Sequence, residues 1–420
     1  MSYLLFAIYF VLCCWMMTRI SFIRKTGIEP RVIIALFALK VLAGIAIGWI
    51  SLHYYGTGND YWDVNREGYK EYQLLLSNPG EYFSNFFRSD YPHGYSGFFD
   101  SFQSFWNDLR NNLVIKLVSI FNLVSQGNYY INSLFFNSLI FFGHAALYRV
   151  FIHRYPGQRI AVIIGCFLLP STLYFTSGIQ KDGIVFALMA MLVYAVYFSL
   201  EQKFTAKRIF LLVFSFGFLL LFRNYVFIVL LLAVPAWILA RRIRWRPVYT
   251  FTLIFGIAAV LLFSIQYIFP SINPLNTIVQ KQADFLGLFA SGTQIEMHPL
   301  TPDLAGFAKQ APLALNHVFL RPYLFELPSQ ILLPMNIELF IYQLLFLVFL
   351  FFRTKTESPD RGAMTCFLLF SIFSLFLFIG YIVPNLGSLV RYRSIYLPFL
   401  ITPMLCSINW AGIRARSIKN

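Results

Sequence analysis

Four acidic residues recur at helical spacing in the short segment NDYWDVNREGYKE, which covers residues 59–71. They are Asp60, Asp63, Glu67 and Glu71, in a chain of 420 residues of which only 12% are charged. If residues 59–72 form a helix, the spacing i, i+3, i+7 and i+11 places the four carboxylates on one narrow stripe of its surface. A carboxylate held in this way can accept a proton from a hydroxyl group, which is the role of a general base.

Position along the chain makes Asp60, with Asp63 as its neighbour on the stripe, the candidate catalytic base. Asp60 follows an apolar segment, residues 32–52, that is long enough to cross a membrane. Its carboxylate would therefore lie near the membrane surface, within reach of the polar head of a substrate whose tail stays in the lipid. The alternative is a solvated acidic helix face, and this alternative fits Glu67 and Glu71 best.

A second candidate group is the pair Lys181 and Asp182 in the segment PSTLYFTSGIQKDG, residues 170–183. Pro170 and two glycines interrupt an apolar segment here, so a kinked membrane helix would bring the pair to its outer mouth. An ammonium group at that position suits the phosphate of a lipid-linked substrate as a point charge. A tight turn with an ordinary Lys–Asp ion pair is the alternative.

Three arginines are the remaining candidates for binding phosphate. Arg391 and Arg393 lie in NLGSLVRYRSIYLPF at the predicted outer start of the last span, and Arg321 lies in NHVFLRPYLFE together with His317. Guanidinium groups bind the oxygens of phosphates and carboxylates through paired hydrogen bonds. For Arg391 and Arg393, the alternative is an anchor whose side chain extends along the helix toward the membrane surface.

These candidates depend on a membrane architecture that the composition indicates. The chain is 58% hydrophobic, with a mean hydropathy of +0.66, and is thus more apolar than ordinary globular proteins. Apolar segments of spanning length predict an all-α, polytopic transmembrane helix bundle with about 11 spans. The predicted spans are residues 3–18, 32–52, 129–151, 160–175, 183–200, 209–222, 226–240, 248–269, 337–352, 363–382 and 392–410.

The polar segments are insertions in a single integral membrane domain, residues 1–420. Two predicted outer loops are long, residues 53–128 and residues 270–336, and long loops in compact domains are usually functional. Within the first loop, residues 111–128 carry apolar side chains on one helix face. This pattern predicts a short helix in the membrane interface, or one that packs on the spans as ordinary protein structure.

The distribution of charge predicts the orientation of the chain. If the N-terminus lies outside, six short inner segments hold 20 of the 33 basic residues, as the positive-inside rule requires. The two long loops then lie outside, and 14 of the 18 acidic residues lie on that side. We therefore expect a multi-pass protein of the cytoplasmic (inner) membrane, with its N-terminus outside and its C-terminus in the cytoplasm.

The net charge of +15 follows from this asymmetry, and it indicates contact with anionic lipid and not with nucleic acid. All five cysteines fall within predicted spans, so no structural disulfide is expected. Neither a CxxC nor an HExxH motif occurs, and no paired-histidine spacing is present. We predict no cofactor, since no ligand motif supports a divalent metal.

The layout of the chain resembles the GT-C membrane glycosyltransferases. The shared features are a carboxylate just beyond an outward span, a long first outer loop with a juxtamembrane helix, and a second long outer loop six spans later. The resemblance implies transfer of a sugar from a polyprenyl-phosphate carrier to a glycan or lipid acceptor at the outer face. It implies that spans 2 to 8 form the family's seven-span module, with span 1 added. The family's catalytic aspartate corresponds to Asp60 or Asp63 in NDYWD, and Arg321 corresponds loosely to its phosphate-binding residue.

Two other segments, FTSGIQKDG and LVRYRSIYLPF, look like stretches of envelope polysaccharide proteins, including O-antigen polymerase-like ones. A polymerase that joins lipid-linked oligosaccharides is therefore the alternative function, and it would rely on outer-face arginines and a histidine instead of an aspartate base. A transporter of lipid-linked glycans or small solutes ranks third, because it needs ionisable residues at mid-membrane depth and only Lys40 fits. A purely structural membrane protein ranks fourth. If one lipid phosphate is handled, Lys181 should share an outer cavity with the acidic stripe and with at least one of Arg321, Arg391 and Arg393.

Reporter fusions along the chain test the predicted orientation. Fusions at residues 85 and 300 should report the outer side, and fusions at residues 245 and 415 should report the cytoplasmic side, because the basic residues concentrate in the segments assigned inside. A cytoplasmic signal from the fusion at residue 300 would contradict the scheme, since both candidate loops would then face the wrong way.

Overall fold

The computed structural model describes residues 2–56, 58–87, 94–95, 104–269, 273–287, 292–326, 332–354, 360 and 362–417. In these ranges the regular structure is helical apart from two isolated β-bridges, which confirms the predicted all-α fold class. Asp90 and Asp100, two acids assigned to the first outer loop, lie outside the described residues. The α-helices are α1 (Ser2–Arg19), α2 (Ser21–Arg24), α3 (Pro30–Tyr55), α4 (Asp60–Ser77), α5 (Pro79–Ser84), α6 (Phe105–Ser125), α7 (Tyr129–Arg154), α8 (Arg159–Phe167), α9 (Pro170–Phe175), α10 (Lys181–Glu201), α11 (Ala206–Phe222), α12 (Asn224–Arg242), α13 (Pro247–Ile268), α14 (Pro274–Leu286), α15 (Leu304–Leu320), α16 (Leu333–Phe352), α17 (Ala363–Ile382), α18 (Leu386–Ser394), α19 (Leu397–Cys406) and α20 (Trp410–Ser417). A short 3-10 helix covers Asn85–Phe87.

Eight helices in the described ranges are long and apolar enough to cross a membrane: α1, α3, α7, α10, α12, α13, α16 and α17. Each of them coincides with one of the predicted spans. The protein is therefore a multi-pass, polytopic helical membrane protein, as the hydropathy of the sequence predicts.

The three other predicted spans are short or broken in the structure. Because Pro170 cannot donate a backbone hydrogen bond and disfavours helical geometry in the preceding residue, the segment 160–175 is divided into α8 and α9. The segment 392–410 is divided between α18 and α19, with Pro398 in the first turn of α19. Helix α11 has only 17 residues. The predicted number of about 11 spans therefore includes one short helix, α11, and two segments that are each divided between two shorter helices.

The described chain forms two compact units, each built from segments that are not contiguous in sequence. Unit 1 comprises Met1–Val150, Thr172–Ala195 and Ala206–Arg223, and unit 2 comprises Phe151–Ser171, Val196–Thr205 and Asn224–Asn420. The first predicted outer loop belongs to unit 1 and the second to unit 2. Both units contain membrane-spanning helices.

Helix α4 confirms the helix that the acidic spacing predicts, and it extends five residues further than residue 72. Asn59 caps its start, because the side-chain oxygen accepts hydrogen bonds from the backbone N–H groups of Tyr61 (3.1 Å) and Trp62 (3.3 Å). Gly68 in the middle of α4 packs against Val118 of α6. A Cβ atom at Gly68 would lie 2.5 Å from Val118 Cγ1, so the absence of a side chain lets these two helices meet closely.

A polar network holds the second half of α4 against α5 and α6. Lys116 Nζ donates to Glu71 Oε2 at 2.5 Å and to Asn85 Oδ1 at 2.7 Å. It also donates to the carbonyl oxygen of Tyr82 at 2.6 Å and lies 3.6 Å from the centre of that ring. Asn85 Nδ2 completes the network by donating to Glu71 Oε1 at 2.9 Å. The interpretation of Glu71 as a solvated acid is therefore wrong, since its carboxylate is a structural ion-pair partner.

Helix α6 combines the two expectations for the amphipathic segment at 111–128. Its Val114 and Val118 side chains are buried, as ordinary packing requires. Ile120, Leu123 and Val124 are exposed. The helix thus packs within unit 1 and presents an apolar edge that suits the membrane interface.

Unit 2 is organised around α17, most of whose side chains are buried. Trp237 of α12 stacks on Phe367 with the ring centres 4.5 Å apart. Asp360 caps the start of α17, since its carboxylate accepts a hydrogen bond from the backbone N–H of Met364 at 2.9 Å. The same carboxylate receives Arg154 Nη2 at 2.8 Å, so a buried ion pair fixes the first turn of this helix.

Loss of the Lys116 ammonium should loosen α4 and α6. In Lys116→Met, the Glu71 carboxylate and the Asn85 side chain lose their shared donor, so we expect the free energy of unfolding to fall by about 1–3 kcal/mol. Thermal unfolding in detergent measures the loss, and amide hydrogen exchange over residues 60–87 locates it.

Lys70→Met is the matched control for this variant. Lys70 pairs with Glu67 at 2.9 Å on the exposed face of α4, and exposed ion pairs contribute little to stability. Equal stability of the Lys116 and Lys70 variants would contradict the structural role of the network.

Candidate functional site

The interruption between α9 and α10 positions the most strongly charged part of unit 1. Residues 176–180 are non-helical, and Gly178 among them has a φ of 77°. A Cβ atom at Gly178 would lie 2.9 Å from Ile47 Cγ2, so both backbone angle and space require glycine here. As a result, α10 begins with the charged residues Lys181 and Asp182.

Both members of this predicted pair have partners elsewhere in unit 1. The Asp182 carboxylate is fully buried and accepts a hydrogen bond from Arg223 Nη2 at 2.6 Å. Lys181 Nζ donates to Asn111 Oδ1 of α6. The ion pair at this helix start is therefore Asp182 with Arg223, which differs from the simple Lys–Asp turn of the alternative interpretation.

Further charges surround the Lys181 ammonium. The carboxylate of Asp60 and the guanidinium groups of Arg110 and Arg223 lie within its electrostatic reach. We call this group the Lys181 cluster, consisting of Asp60, Arg110, Asn111, Lys181, Asp182 and Arg223. Its three basic and two acidic side chains leave an excess of positive charge when all are ionised, and such an excess favours an anionic ligand.

The acids of the α4 stripe have different surroundings. Asp60 is the first residue of α4 and is the exposed member of the acidic pair in the Lys181 cluster. Asp63 instead pairs with Arg66 at 2.5 Å on the helix surface, and Glu67 pairs with Lys70. Of the two candidate bases, Asp60 is thus the one that the fold associates with a group of cations.

In unit 2, two of the three candidate arginines meet at the end of α15. Arg393 is buried, and its Nη1 atom donates to the carbonyl oxygens of Val318 at 2.7 Å and Arg321 at 2.8 Å. The interpretation of Arg393 as an anchor that extends toward the membrane surface is therefore wrong. Glu338 of α16 lies within electrostatic reach of Arg393. Arg391, which lies on α18 together with Arg393, is half-buried. Phosphate binding by Arg391 and Arg393 stays a prediction.

The side chain of Arg321 pairs with Glu326, and the Arg321 Nε atom lies 3.1 Å from Glu326 Oε2. Burial acts to raise the pKa of Glu326, but the hydrogen bonds from Arg321 lower this pKa below its ordinary value. Burial and the positive charge of Arg321 lower the pKa of the nearby His317, so its imidazole is neutral at pH 7. We call His317, Arg321, Glu326 and Arg393 the Arg393 cluster. Within the described residues, His317 Nδ1 and Arg393 Nε have no hydrogen-bond partner.

Sequence reasoning did not single out Arg110 or Asn111. Their signal is the polar first part of α6, where RNN at residues 110–112 occupies the second turn of a helix that is mostly apolar beyond it. That polarity becomes informative only when α6 is known to lie beside the start of α10, which is a tertiary contact. The prediction that Lys181 shares a cavity with an arginine of unit 2 stays a prediction.

The fold and these clusters define the class, a polytopic all-α membrane protein with charged side chains grouped beside interrupted helices. No protein-family model matches the chain, and no curated protein or solved structure matches it. In the described part of the chain, no three His, Cys, Asp or Glu side chains are grouped so that they could hold a metal ion. The five cysteines are free thiols and are buried. Cofactor independence stays a prediction.

Arg223 should be required for the stability of unit 1. Arg223→Met removes the cation that faces the buried carboxylate of Asp182, so we expect the free energy of unfolding to fall by about 3 kcal/mol. Adding Asp182→Asn to the same chain should recover most of this loss, because the buried charge is then gone as well. Thermal unfolding of both single variants and the double variant measures the coupling. Simple addition of the two single losses would show that the pair does not act as a unit.

Proposed function

We propose that the protein is a membrane glycosyltransferase that transfers a sugar from a polyprenyl-phosphate-linked donor at the outer face of the cytoplasmic membrane. The acceptor is a glycan or lipid, and the reaction belongs to cell-envelope glycan assembly. The observation that carries the proposal is the Lys181 cluster, in which two carboxylates and three basic side chains gather at the start of a membrane-spanning helix.

The reaction needs a base for the acceptor and positive charge for the departing phosphate. The acceptor oxygen forms a bond to the anomeric carbon while the bond from that carbon to the phosphate oxygen breaks. Asp60 accepts the proton that the acceptor hydroxyl loses. Polyprenyl phosphate leaves with the electron pair of the broken bond, and Lys181 with Arg110 stabilises its added negative charge.

The surroundings of the individual residues support this division of roles. Asp60 is exposed, so an acceptor hydroxyl can approach it from the aqueous side. Asp63 has Arg66 as an ion-pair partner on the surface of α4, so its carboxylate is already engaged within its own helix. Asp182 is buried and holds the guanidinium group of Arg223, which orders one cation of the cluster.

The proposal includes an orientation, with the N-terminus outside and the C-terminus in the cytoplasm. The concentration of basic residues in the short segments assigned inside supports it. The Lys181 cluster then lies toward the outer surface, where the head of a lipid-linked donor meets an aqueous acceptor. Membrane lipid is a partner through the donor's tail and through anionic head groups attracted to the basic inner segments.

A polymerase that joins lipid-linked oligosaccharides is the second candidate function, and one observation in unit 2 favours it. The Arg393 cluster brings a neutral histidine together with two arginines, and His317 Nδ1 and Arg393 Nε have no hydrogen-bond partner among the described residues. In that mechanism His317 accepts the proton, and the arginines stabilise the phosphate.

Substitution of the proposed base tests the primary function. Asp60→Asn keeps the size of the side chain and removes its basicity, so glycan assembly should fall by about 10²–10⁴-fold. Envelope glycan is measured in cells that carry each variant at matched levels of membrane-inserted protein. Glu67→Gln is the control on the same helix face, because Glu67 pairs only with exposed α4 side chains in the described structure; it should leave assembly near the wild-type level.

The same measurement distinguishes the two candidate functions. Near-normal glycan from both Asp60→Asn and Asp63→Asn would reject the aspartate base and favour the polymerase. In that case the loss should follow His317→Gln or Arg391→Gln instead.

A further inference from the structure

Lys40 is an ionisable residue to which the proposed function assigns no role. It lies in the middle of α3, one of the eight candidate membrane-spanning helices, and its side chain is only 1% exposed. An ammonium group buried at membrane depth is costly, and such groups are usually retained for a specific interaction. The groups that Lys40 contacts therefore indicate what it does.

Both hydrogen bonds of the Lys40 ammonium in the described structure go to Thr176. Nζ donates to the carbonyl oxygen of Thr176 at 2.9 Å and to its Oγ1 at 2.7 Å. The hydroxyl of Thr176 donates to the carbonyl oxygen of Thr172 at 2.6 Å, so its oxygen is oriented to accept from Lys40. Among the described residues, no carboxylate forms an ion pair with Lys40.

Thr176 is the first residue of the non-helical segment 176–180 that separates α9 from α10. Backbone carbonyl groups that leave a helix inside a membrane need partners from the protein, because the lipid supplies none. Lys40 supplies that partner for Thr176.

Close contacts with glycine make the position of this segment sensitive to small shifts. A Cβ atom at Gly183, in the first turn of α10, would lie 2.5 Å from the Thr176 carbonyl oxygen. A Cβ atom at Gly44, one turn after Lys40 on α3, would lie 3.3 Å from Gly178 N. The segment is therefore held against α3 and the start of α10 with little free space.

We infer that Lys40 is a positioning residue: its ammonium fixes the break at residues 176–180 and thereby sets where Lys181 and Asp182 stand. A shift at Thr176 is transmitted through four residues to Lys181, whose ammonium meets Asn111. The inference rests on the proposed function only in treating the Lys181 cluster as the phosphate site. It adds that the site is supported from mid-membrane depth by a cation that never touches the substrate.

Hydrogen exchange tests the positioning directly. In Lys40→Met the amides of residues 176–182 should exchange about tenfold faster, because both hydrogen bonds from Nζ to Thr176 are lost and a tenfold change corresponds to about 1.4 kcal/mol of local stability. Thr176→Val removes the Oγ1 acceptor and keeps the shape of the side chain, so it should give a smaller acceleration. In the double variant the valine substitution should add less than it does alone, because the Lys40 donor is already gone and only the hydrogen bond from Thr176 to Thr172 is left to lose.

Global stability separates positioning from a purely structural role. Methionine matches the apolar length of the lysine side chain and removes the cost of burying its amino group, which offsets the loss of a donor to the Thr176 oxygens, so the melting temperature of Lys40→Met should change little. Lys70→Met serves as the surface control for both measurements. An unchanged exchange rate at residues 176–182, or a melting temperature that falls together with exchange across the whole chain, would overturn the inference.

Ligand binding gives the functional arm, with farnesyl phosphate in detergent as the probe and microscale thermophoresis as the readout. Lys40→Met should weaken binding by about tenfold, and the effect of Lys181→Met should shrink when both substitutions are combined. Weakened binding in Lys181→Met with unchanged binding in Lys40→Met would reject the inference and leave the proposed function standing. Absence of binding to the wild-type protein would count against the proposed function, and the exchange data would then still decide the role of Lys40.

Discussion

Every feature of this protein that bears on chemistry depends on one constraint: a backbone that leaves a helix within a membrane must find its hydrogen-bond partners inside the protein. In unit 1 Lys40 meets that need at Thr176, where α9 has ended. In unit 2 the Glu338 carboxylate meets it at the start of α9, accepting from the backbone N–H of Ser171 at 2.9 Å. Arg393 does the same for the carbonyl groups at the end of α15, a helix outside the predicted spans. Among the described residues, Lys40, Glu338 and Arg393 thus each bind backbone atoms where a helix begins or ends.

The same interruptions explain where functional groups can gather. A continuous membrane helix usually carries its charged residues near its two ends, whereas a break creates a helix start with neighbours on several sides. Lys181 and Asp182 stand at such a start, beside the polar first turns of α6 and the residue that follows α11. A lipid-linked substrate brings its phosphate to the boundary between lipid and water. The site and its proposed ligand therefore both place charged groups next to hydrocarbon, where each charge needs a partner to remain stable.

The parts of this structure that could be predicted from sequence are those fixed by local patterns. Helix α4 follows from acids at helical spacing after an asparagine cap, and the eight spans follow from hydropathy over about 20 residues. The pairing of Lys116 with Glu71 joins residues 45 positions apart, and that of Lys181 with Asn111 joins residues 70 positions apart. No periodicity encodes such contacts, so Glu71 was misinterpreted and Asn111 was missed. The interpretation of Arg393 as an anchor is wrong for a related reason: an arginine near a span end looks the same in sequence whether it faces lipid or the backbone of another helix.

The contact between Lys40 and Thr176 also has a consequence for biosynthesis. The two residues are 136 positions apart, so at ribosomal speeds of about 5–20 residues per second roughly 7–27 seconds separate their synthesis. During that interval α3 carries an ammonium group whose acceptor has not yet been made. The contact that buries the Lys40 side chain can therefore form only after α9 has been synthesised. During membrane integration α3 thus lacks one of its final partners until a later part of the chain has been made.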